Sequence, residues 1–239
     1  MKCIVCNQEV LKKSKEHIFP ESLGGKLKVH CVCKDCNSKL GSSIEASFLN
    51  DSTILFLRCK YKISAKSCGE PPIILDLDFY DDNTKEKIIC FRDKKKQSNI
   101  VNISTPYYLK ERKNPEFKTI SSILSYNKTI YFLFSIKVIH EFLYYLYADN
   151  YEKTVIYSVF SDLLYEYISK NEITLNLESD VRFFSFKDLQ KKLTFEIKRE
   201  AHDYALIVNV FNYFIFTFEF NDDSGIYNFI ENYKYEEKL

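Results

Sequence analysis

The sequence has little of what loose, membrane-spanning or exported chains contain. Its 239 residues include no tryptophan and only five glycines and five prolines, against 18 tyrosines and 20 phenylalanines. This composition excludes disorder over most of the length. No apolar run reaches the roughly 18 residues of a membrane helix, and Lys12, Lys13 and Lys15 follow too closely on the start for a secretory signal. We expect a cytoplasmic protein without membrane spans.

Charge is distributed unevenly, although the formal net charge is only +1. Residues 1–60 contain 10 Lys and Arg against 6 Asp and Glu, which gives +4, and the remainder contains 24 against 27, which gives −3. A basic segment on a mildly acidic body favours contact between the first segment and an anionic partner.

Five of the eight cysteines fall within the first 36 residues. Four of them form two Cys-x-x-Cys pairs, and two such turns can place four thiolates around one tetrahedral Zn²⁺. The predicted zinc ligands are Cys3, Cys6, Cys33 and Cys36. Disulfides are the alternative, which the absence of a secretion signal disfavours. Four thiolates leave no open position on the ion, so we expect the zinc to be structural.

The remaining cysteines lie outside this pattern. Cys31 would be a fifth thiolate where the ion needs four, so we interpret it as a packing residue. The others are expected to be small buried apolar residues, namely Cys59, Cys68 and Cys90.

The segment between the two cysteine pairs carries groups that suit metal-assisted hydrolysis. Glu16 and His17 are followed by Ile-Phe-Pro and by the Gly24-Gly25 turn, a pattern that predicts a short strand ending at a loop. A carboxylate is a hard oxygen donor for a divalent cation, and an imidazole that titrates near neutrality can take a proton from water. A surface Glu-His dipeptide is the alternative; its position within a zinc-stapled loop favours the site.

The order Cys-x-x-Cys, Glu-His-Ile-Phe-Pro, Gly-Gly, Cys-x-x-Cys-Asn resembles the HNH endonuclease family, the zinc-stapled branch of the ββα-metal nucleases, over about residues 1–50. The resemblance implies that His17 activates water and that Glu16 and Asn37 hold a catalytic Mg²⁺ or Mn²⁺. It further implies hydrolysis of DNA phosphodiesters to 5′-phosphate and 3′-hydroxyl ends. Glu16 stands where Asp is more usual and Asn37 where many members have His, and both keep a donor atom.

The middle Asn of the family motif has no counterpart here. Its function is either missing, taken by His30 or Lys28, or met by backbone groups, and His30 has the alternative interpretation of a surface strand residue. Basic side chains around the motif are candidates for phosphate contacts, with solvated lysines as the alternative. They are Lys26, Lys28, Lys34 and Lys39.

Two helix starts are open at the end of this segment. Ser42 and Glu45 form a capping-box pattern, so either a helix begins there or Gly41 breaks one that began at Cys36.

Beyond residue 57 the pattern predicts an α+β body. Strands are predicted over 73–80 and 87–91 and over 181–186, helices over 136–147 and 153–169, and a long hairpin over 204–220. His140 is interpreted as a helix-surface or core residue, and Asp76 and Asp78 as members of a half-buried strand and not a metal pair. The chain is thus predicted to combine a ββα-metal module, 1–57, with an α+β accessory domain, 58–239, that serves target selection, dimerisation or regulation.

The leading hypothesis is a metal-dependent endonuclease acting on DNA, double-stranded in the first instance. The arrangement also resembles bacterial HNH proteins from mobile-element or phage-defence settings. An alternative from another class is a catalytically inactive zinc-stapled nucleic-acid-binding or adaptor protein, motivated by the missing Asn. RNA is a further alternative substrate, because the backbone chemistry does not itself distinguish the two sugars.

Overall fold

The structure is a computed structural model that describes residues 2–63, 74–81, 87–92, 101–104, 120–122, 127–173, 180–183, 190–200, 203–221 and 229–238. The chain forms two compact units: residues 1–48 together with 128–239, and residues 49–127. The predicted division at residue 57 concerns a nuclease module and an accessory domain, and it stays a prediction about function. By compactness, the first 48 residues and the C-terminal part belong to the same unit.

The first segment has the order strand, strand, helix. Strand β1 (Glu16–His17) pairs antiparallel with strand β2 (Lys28–Val29), with Glu16 opposite Val29 and His17 opposite Lys28. Helix α1 (Lys34–Leu40) follows, and the Cys33 sulfur at its N-cap accepts a hydrogen bond from the backbone N–H of Cys36. This is the ββα order that the family resemblance predicts.

The two glycines between the strands are required by the backbone. Gly24 has φ 93°, a left-handed conformation that side chains with a Cβ rarely adopt. Gly25 lies so close to Phe19 that a Cβ would be 1.9 Å from the Phe19 carbonyl oxygen. The pair therefore allows the chain to reverse tightly after β1, and Ile18 can donate its backbone N–H to the carbonyl of Leu27 at 3.1 Å.

The helix after the second cysteine pair differs from both alternatives that the sequence left open. It begins at Lys34 and continues through Gly41 as a π-helical turn (Gly41–Glu45) into helix α2 (Ala46–Leu49). Gly41 has ordinary right-handed helical angles, φ −61° and ψ −44°, so it does not break the helix. Ser42 forms no capping box, because its hydroxyl donates to the carbonyl of Lys39 at 3.2 Å.

The C-terminal part of the same unit contains two helices and one sheet. These are helix α4 (Lys128–Tyr151), which has a non-helical residue at Ala148, and helix α5 (Val155–Lys170). Helix α3 (Ser52–Lys60) comes earlier in the chain and belongs to the other unit. Before the sheet of this unit come four strands of the other unit, β3 (Ile74–Asp81), β4 (Lys87–Arg92), β5 (Val101–Ser104) and β6 (Ile120–Ser122). The remaining strands are β7 (Asp180–Phe183), β8 (Lys192–Glu200), β9 (Asp203–Val210), β10 (Phe214–Asn221) and β11 (Tyr233–Lys238).

Both larger sheets are antiparallel. The sheet of the first unit has the order β11-β8-β9-β10-β7, and the sheet of the second has the order β5-β4-β3-β6. The predicted hairpin corresponds to β9 and β10, which are joined at residues 211–213. With helices and antiparallel sheets in one chain, the predicted α+β class is confirmed. Strands β5, β6, β8 and β11 were not predicted.

Aromatic side chains join the ββα segment to the rest of its unit. Phe19 packs edge-on against Phe142 of α4 at 5.9 Å between ring centroids, and Phe142 stacks on Phe195 of β8 at 4.3 Å. Phe48 stacks on Phe134 of α4 at 3.8 Å. Helix α4 is therefore sandwiched between the ββα segment and the five-stranded sheet, which places its buried residues next to β1.

Several predicted features fall outside what the structure describes. Asp76 and Asp78 lie on β3, as predicted, but nothing is described of their side chains, and the same holds for Cys59 and Cys90. Cys68 lies between the described ranges. Among the helices that the structure describes, none combines the length and the apolar character that crossing a membrane requires.

Candidate functional site

The four predicted zinc ligands come together. Their Sγ atoms all lie within 4.8 Å of one another, in a group made of Cys3, Cys6, Cys33 and Cys36. A tetrahedral zinc with Zn–S bonds of about 2.3 Å requires sulfurs about 3.8 Å apart, so a small contraction closes this group on the ion. The cluster can hold zinc. Cys31 is fully buried outside the group, as its interpretation as a packing residue predicts.

Backbone hydrogen bonds prepare these sulfurs for a cation. The backbone N–H of Cys33 donates to the Cys3 sulfur at 3.2 Å, and that of Cys36 donates to the Cys33 sulfur at 3.4 Å. A hydrogen bond with the Cys36 side chain, assisted by backbone N–H groups, lowers the pKa of Cys3 to about 4. The same hydrogen bond raises the pKa of Cys36. A bound Zn²⁺ would favour the thiolate form of all four groups.

The first cysteine turn is anchored to the helix pair. His140 of α4 is fully buried, and burial lowers its pKa to about 4, so the ring is neutral near pH 7. Its Nε2 lies 2.8 Å from the Ile4 carbonyl oxygen, which can only accept, and its Nδ1 lies 2.6 Å from the Tyr151 hydroxyl. Ser161 of α5 donates to the same carbonyl at 2.7 Å. His140 is thus a core residue that fixes the zinc turn, in agreement with its predicted interpretation.

Glu16 and Asn37 approach each other within the ββα segment, and His17 follows Glu16 on β1. The Asn37 side chain lies close enough to the Glu16 carboxylate to help stabilise its charged form, although 20 positions separate the two residues in sequence. Their proximity follows from the cysteine cluster, because Asn37 comes directly after Cys36 in α1. His17 is adjacent to Glu16 on β1 and only partly buried, so solvent reaches its ring.

The electrostatics of His17 favour its neutral form. Burial and, secondarily, the positive charge of Lys28 across the two-stranded sheet lower the pKa of His17 below its usual value. A neutral imidazole has a free nitrogen lone pair, which a general base needs. At neutral pH, His17 is therefore in the protonation state that proton abstraction requires.

A buried lysine from α4 enters this site. The Lys137 ammonium contacts three carboxylates, Glu45 Oε1 at 2.6 Å, Glu141 Oε2 at 3.1 Å and Glu16 Oε1 at 3.3 Å. It also donates to the carbonyl oxygens of His17 at 3.0 Å and Ile18 at 3.3 Å. One ammonium therefore holds three consecutive residues, 16 to 18, around the candidate base.

The charges of this group do not balance. Three carboxylates surround one ammonium, a formal excess of two negative charges. Burial alone would lower the pKa of Lys137, but Glu141, Glu45 and Glu16 together raise it well above its usual value, so the lysine stays charged. Burial raises the pKa of Glu16 and of Glu141. A further cation beside Glu16 and Glu45 would favour the ionised form of these carboxylates.

The group has a deep side and an open side. The side chains of Lys137 and Glu141 are each 1 % exposed, whereas those of Glu16 and Glu45 are 10 % and 13 % exposed. Glu45 reaches the group from the π-helical turn. Glu45 is the eighth residue after Asn37. In a regular α-helix, at about 100° per residue, the two side chains would point about 80° apart around the helix axis. The wider π turn winds less per residue and reduces that offset.

Lys137, Glu141 and Glu45 were not predicted as members of the site. Lys137 lies in the predicted helix 136–147, where hydrophobic spacing identifies the helix but does not indicate a buried charge. The signal that was available is a lone Lys flanked by Ile136 and by Val138-Ile139, with a carboxylate four residues later. Charged residues are rarely buried unless they are paired, so a Lys and a Glu four residues apart in such an apolar run indicate a buried ion pair with a specific function.

The other predicted residues lie at the surface. His30 is exposed directly after β2, and its tentative site function stays a prediction. The candidate phosphate-binding residues are all exposed, namely Lys26, Lys28, Lys34 and Lys39. The backbone N–H of Lys26 donates to Glu237 of β11 at 3.0 Å, which anchors the strand connection after Gly25.

Comparison with protein families gives a match that covers this segment. Residues 3–53 match the HNH endonuclease family. The predicted resemblance is confirmed for this stretch, here called the HNH segment, which makes up about a fifth of the chain. The match supports a nuclease-type function and a nucleic-acid substrate in general. Comparison with curated proteins and with solved structures gave no match.

Proposed function

We propose that the HNH segment hydrolyses DNA phosphodiester bonds, with His17 as general base and with Glu16 and Asn37 as ligands of a divalent cation, Mg²⁺ or Mn²⁺. The observation that carries this proposal is the approach of the Asn37 side chain to the Glu16 carboxylate, with a partly exposed, neutral His17 adjacent to Glu16 on β1. Carboxylate and amide oxygens are donors that these cations prefer.

The proposed mechanism divides the work between the cation and the side chains. When bound, the cation neutralises charge on the phosphate and on the leaving oxygen. A nitrogen of His17 takes a proton from the attacking water, which aligns opposite the leaving group. The exposed lysines attract the phosphate backbone, and the expected products carry 5′-phosphate and 3′-hydroxyl ends. The zinc cluster has no catalytic part, because its four thiolates complete the coordination of the ion.

A second candidate function is nucleic-acid binding without cleavage. The specific observation in its favour is that Lys137 lies 3.3 Å from Glu16 Oε1, so that a protein cation already occupies one side of this carboxylate. Under this alternative, the HNH segment is a zinc-stapled binding or adaptor module. RNA is the alternative substrate under both functions, and the setting we propose is bacterial defence or a mobile element.

The test is nicking of a supercoiled plasmid in Mg²⁺, Mn²⁺ or EDTA, with wild-type protein and His17→Ala. We expect cleavage with either metal, none in EDTA, and a loss of about 10²–10⁴-fold in the variant, the usual contribution of a general base. The matched control is His30→Ala, which removes the other imidazole of the HNH segment.

Three results would contradict the proposal. Cleavage by His17→Ala at the wild-type rate would remove His17 as the base. A loss that follows His30→Ala instead would transfer that function to His30. Retained DNA binding without nicking in any metal would favour the adaptor function.

A further inference from the structure

Lys137 contacts the proposed nuclease site in a way that no other described residue of α4 does. Its ammonium donates to the carbonyls of His17 and Ile18 and pairs with the carboxylate of Glu16. These three residues are the proposed cation ligand, the proposed base and the residue that follows it. A shift of the ammonium would move all three together.

Two further carboxylates fix the ammonium itself. Glu141 lies one helical turn later on α4, and Glu45 comes from the π-helical turn after α1. Lys137 is therefore connected to two parts of the ββα segment. It contacts β1 and the residue after it through residues 16–18, and through Glu45 it contacts the π-helical turn that continues α1. The ammonium joins the strand that bears the base to the helix that bears Asn37.

Lys137 and a divalent cation can both be present beside the Glu16 carboxylate. Lys137 lies on the deep, 1 % exposed side of the carboxylate group and touches Oε1 of Glu16, a carboxylate that the Asn37 side chain also approaches. With all three carboxylates ionised, the formal charge of the group, the lysine included, is −2. A divalent cation on the open side would neutralise that charge, so the lysine and the cation are compatible.

We propose that Lys137 is a positioning residue of the nuclease site: from the deep side it fixes the Glu16 carboxylate and the backbone of His17 and Ile18 in the geometry that cleavage requires. This inference rests on the proposed function for its catalytic consequence. It goes beyond that function because Lys137 lies outside the HNH segment, on a helix 120 positions after the base.

The variant for the test is the double change K137M/E141Q. It removes the ammonium together with the charge of the fully buried Glu141, so no deep carboxylate is left without its counter-ion. The single change E141Q shows how much of any effect comes from Glu141. Lys13→Met is the matched control, because Lys13 is also buried and contacts α4, through the Tyr144 hydroxyl at 2.8 Å, but touches none of the three carboxylates.

The structural measurement is hydrogen exchange at two backbone amides. The Ile18 amide donates to Leu27 beside the site, and the Ile4 amide donates to Cys31 within the zinc-binding region. In K137M/E141Q we expect exchange at Ile18 to accelerate by at least about 10-fold, with Ile4 and the zinc content unchanged. Lys13→Met should move neither amide.

The kinetic measurement is plasmid nicking at saturating Mn²⁺. We expect kcat to fall by about 10²-fold in K137M/E141Q, the order of effect of a misplaced reacting group, while KM for plasmid stays at the wild-type value. Separately, the binding of Mn²⁺ to DNA-free protein, measured by the loss of the free-ion EPR signal, should weaken, because Glu16 is no longer held in place while the double change removes one positive and one negative charge and leaves the net charge of the group unchanged.

Each other outcome overturns the inference. Unchanged exchange at Ile18 would show that Lys137 does not fix β1, and acceleration at Ile18 and Ile4 together would show a general structural function. An equal effect of E141Q alone would assign the effect to Glu141. If wild-type protein nicks no plasmid, the proposed function fails, and the exchange of Ile18 against Ile4 still decides whether Lys137 positions β1.

Discussion

Two clusters of acidic side chains in the first unit, four cysteines and three carboxylates, differ in whether the chain itself provides a cation beside them. The four cysteines bring their sulfurs within 4.8 Å of one another, and among the described residues no cationic side chain is recorded against them. The carboxylates of Glu16, Glu45 and Glu141 converge on Lys137, which the fold itself provides. The first cluster therefore can hold an ion but has no cation of its own among the described residues, whereas the second already contains the Lys137 ammonium.

This difference separates a structural from a proposed catalytic cation. A thiolate group without an internal cation binds its metal tightly and couples it to folding. A carboxylate group that is already partly neutralised can hold a cation weakly and keep its geometry when the cation is absent. We expect removal of metal from the two clusters to have very different consequences.

The largest expected effect comes from breaking the cysteine cluster. Cys3→Ser or Cys36→Ser should lose zinc and lower Tm by more than about 10 °C, since structural zinc contributes on the order of 10 kcal/mol to small metal-folded modules. Bound zinc and thermal melting are the measurements. Cys31→Ala is the control, because this buried cysteine lies outside the cluster and should retain zinc. Stoichiometric zinc with unchanged melting in both serine variants would refute the four-cysteine site.

The second effect concerns the carboxylate side of the comparison. Glu16→Gln and Asn37→Ala should each reduce nicking by about 10²-fold or more, and the double variant should be little worse than either, because residues that act on one cation lose the same function when either is removed. Zinc content and DNA affinity should stay near wild type. Glu9→Gln removes an exposed carboxylate near the first cysteine pair and is the control. Small defects that multiply in the double variant would show that Glu16 and Asn37 share no cation.

A smaller effect is expected from the exposed lysines. Replacing one of them, Lys26, Lys34 or Lys39, by Gln should weaken DNA binding a few-fold and reduce the slope of log K against log salt by about 0.9 for each lost phosphate contact. Lys170→Gln, an exposed lysine of α5 paired with Glu166, provides the comparison. An unchanged salt slope in all three variants would place the nucleic-acid surface elsewhere.

The smallest effect is on the pH dependence of cleavage. Burial and Lys28 lower the pKa of His17, so the rate should rise with pH through a pKa below the usual 6.5 and be level at neutral pH. Lys28→Gln removes one positive charge, which favours protonated His17 and should move the rise to higher pH. Lys39→Gln should leave the profile in place. A shift to lower pH in Lys28→Gln would contradict the assignment of His17 as the titrating base.

The grouping of the four cysteines and the position of the Glu16-His17 pair on a short strand could be predicted, because short sequence motifs specify them. Cys-x-x-Cys spacing specifies a turn, and Asn37 follows the last cysteine directly, so its approach to Glu16 follows from the same staple. Lys137 could not be found in this way. It lies 121 positions after Glu16, and its approach depends on how α4 packs against the ββα segment through Phe19 and Phe48.

The elements show the same division between local and distant causes. Helices α4 and α5 and the β9–β10 hairpin carry strong periodicity or turn signals and were predicted with shifted bounds. Strand β8 lies between β9 and β11, with Tyr233 of β11 opposite Ile197, and local patterns gave no indication of these pairings. The π-helical turn at Gly41–Glu45 has no sequence signal in the capping pattern, since Ser42 and Glu45 make other contacts.

The hydrogen bond from Lys26 to Glu237 imposes an order in time on the site. During synthesis, residues 1–50 leave the ribosome first, yet the turn after Gly25 obtains this bond only when residue 237 has emerged. Lys137 likewise reaches β1 only after α4 has been made. Until α4 and β11 have been made, the HNH segment therefore lacks these two contacts, and the geometry that they support is completed only afterwards.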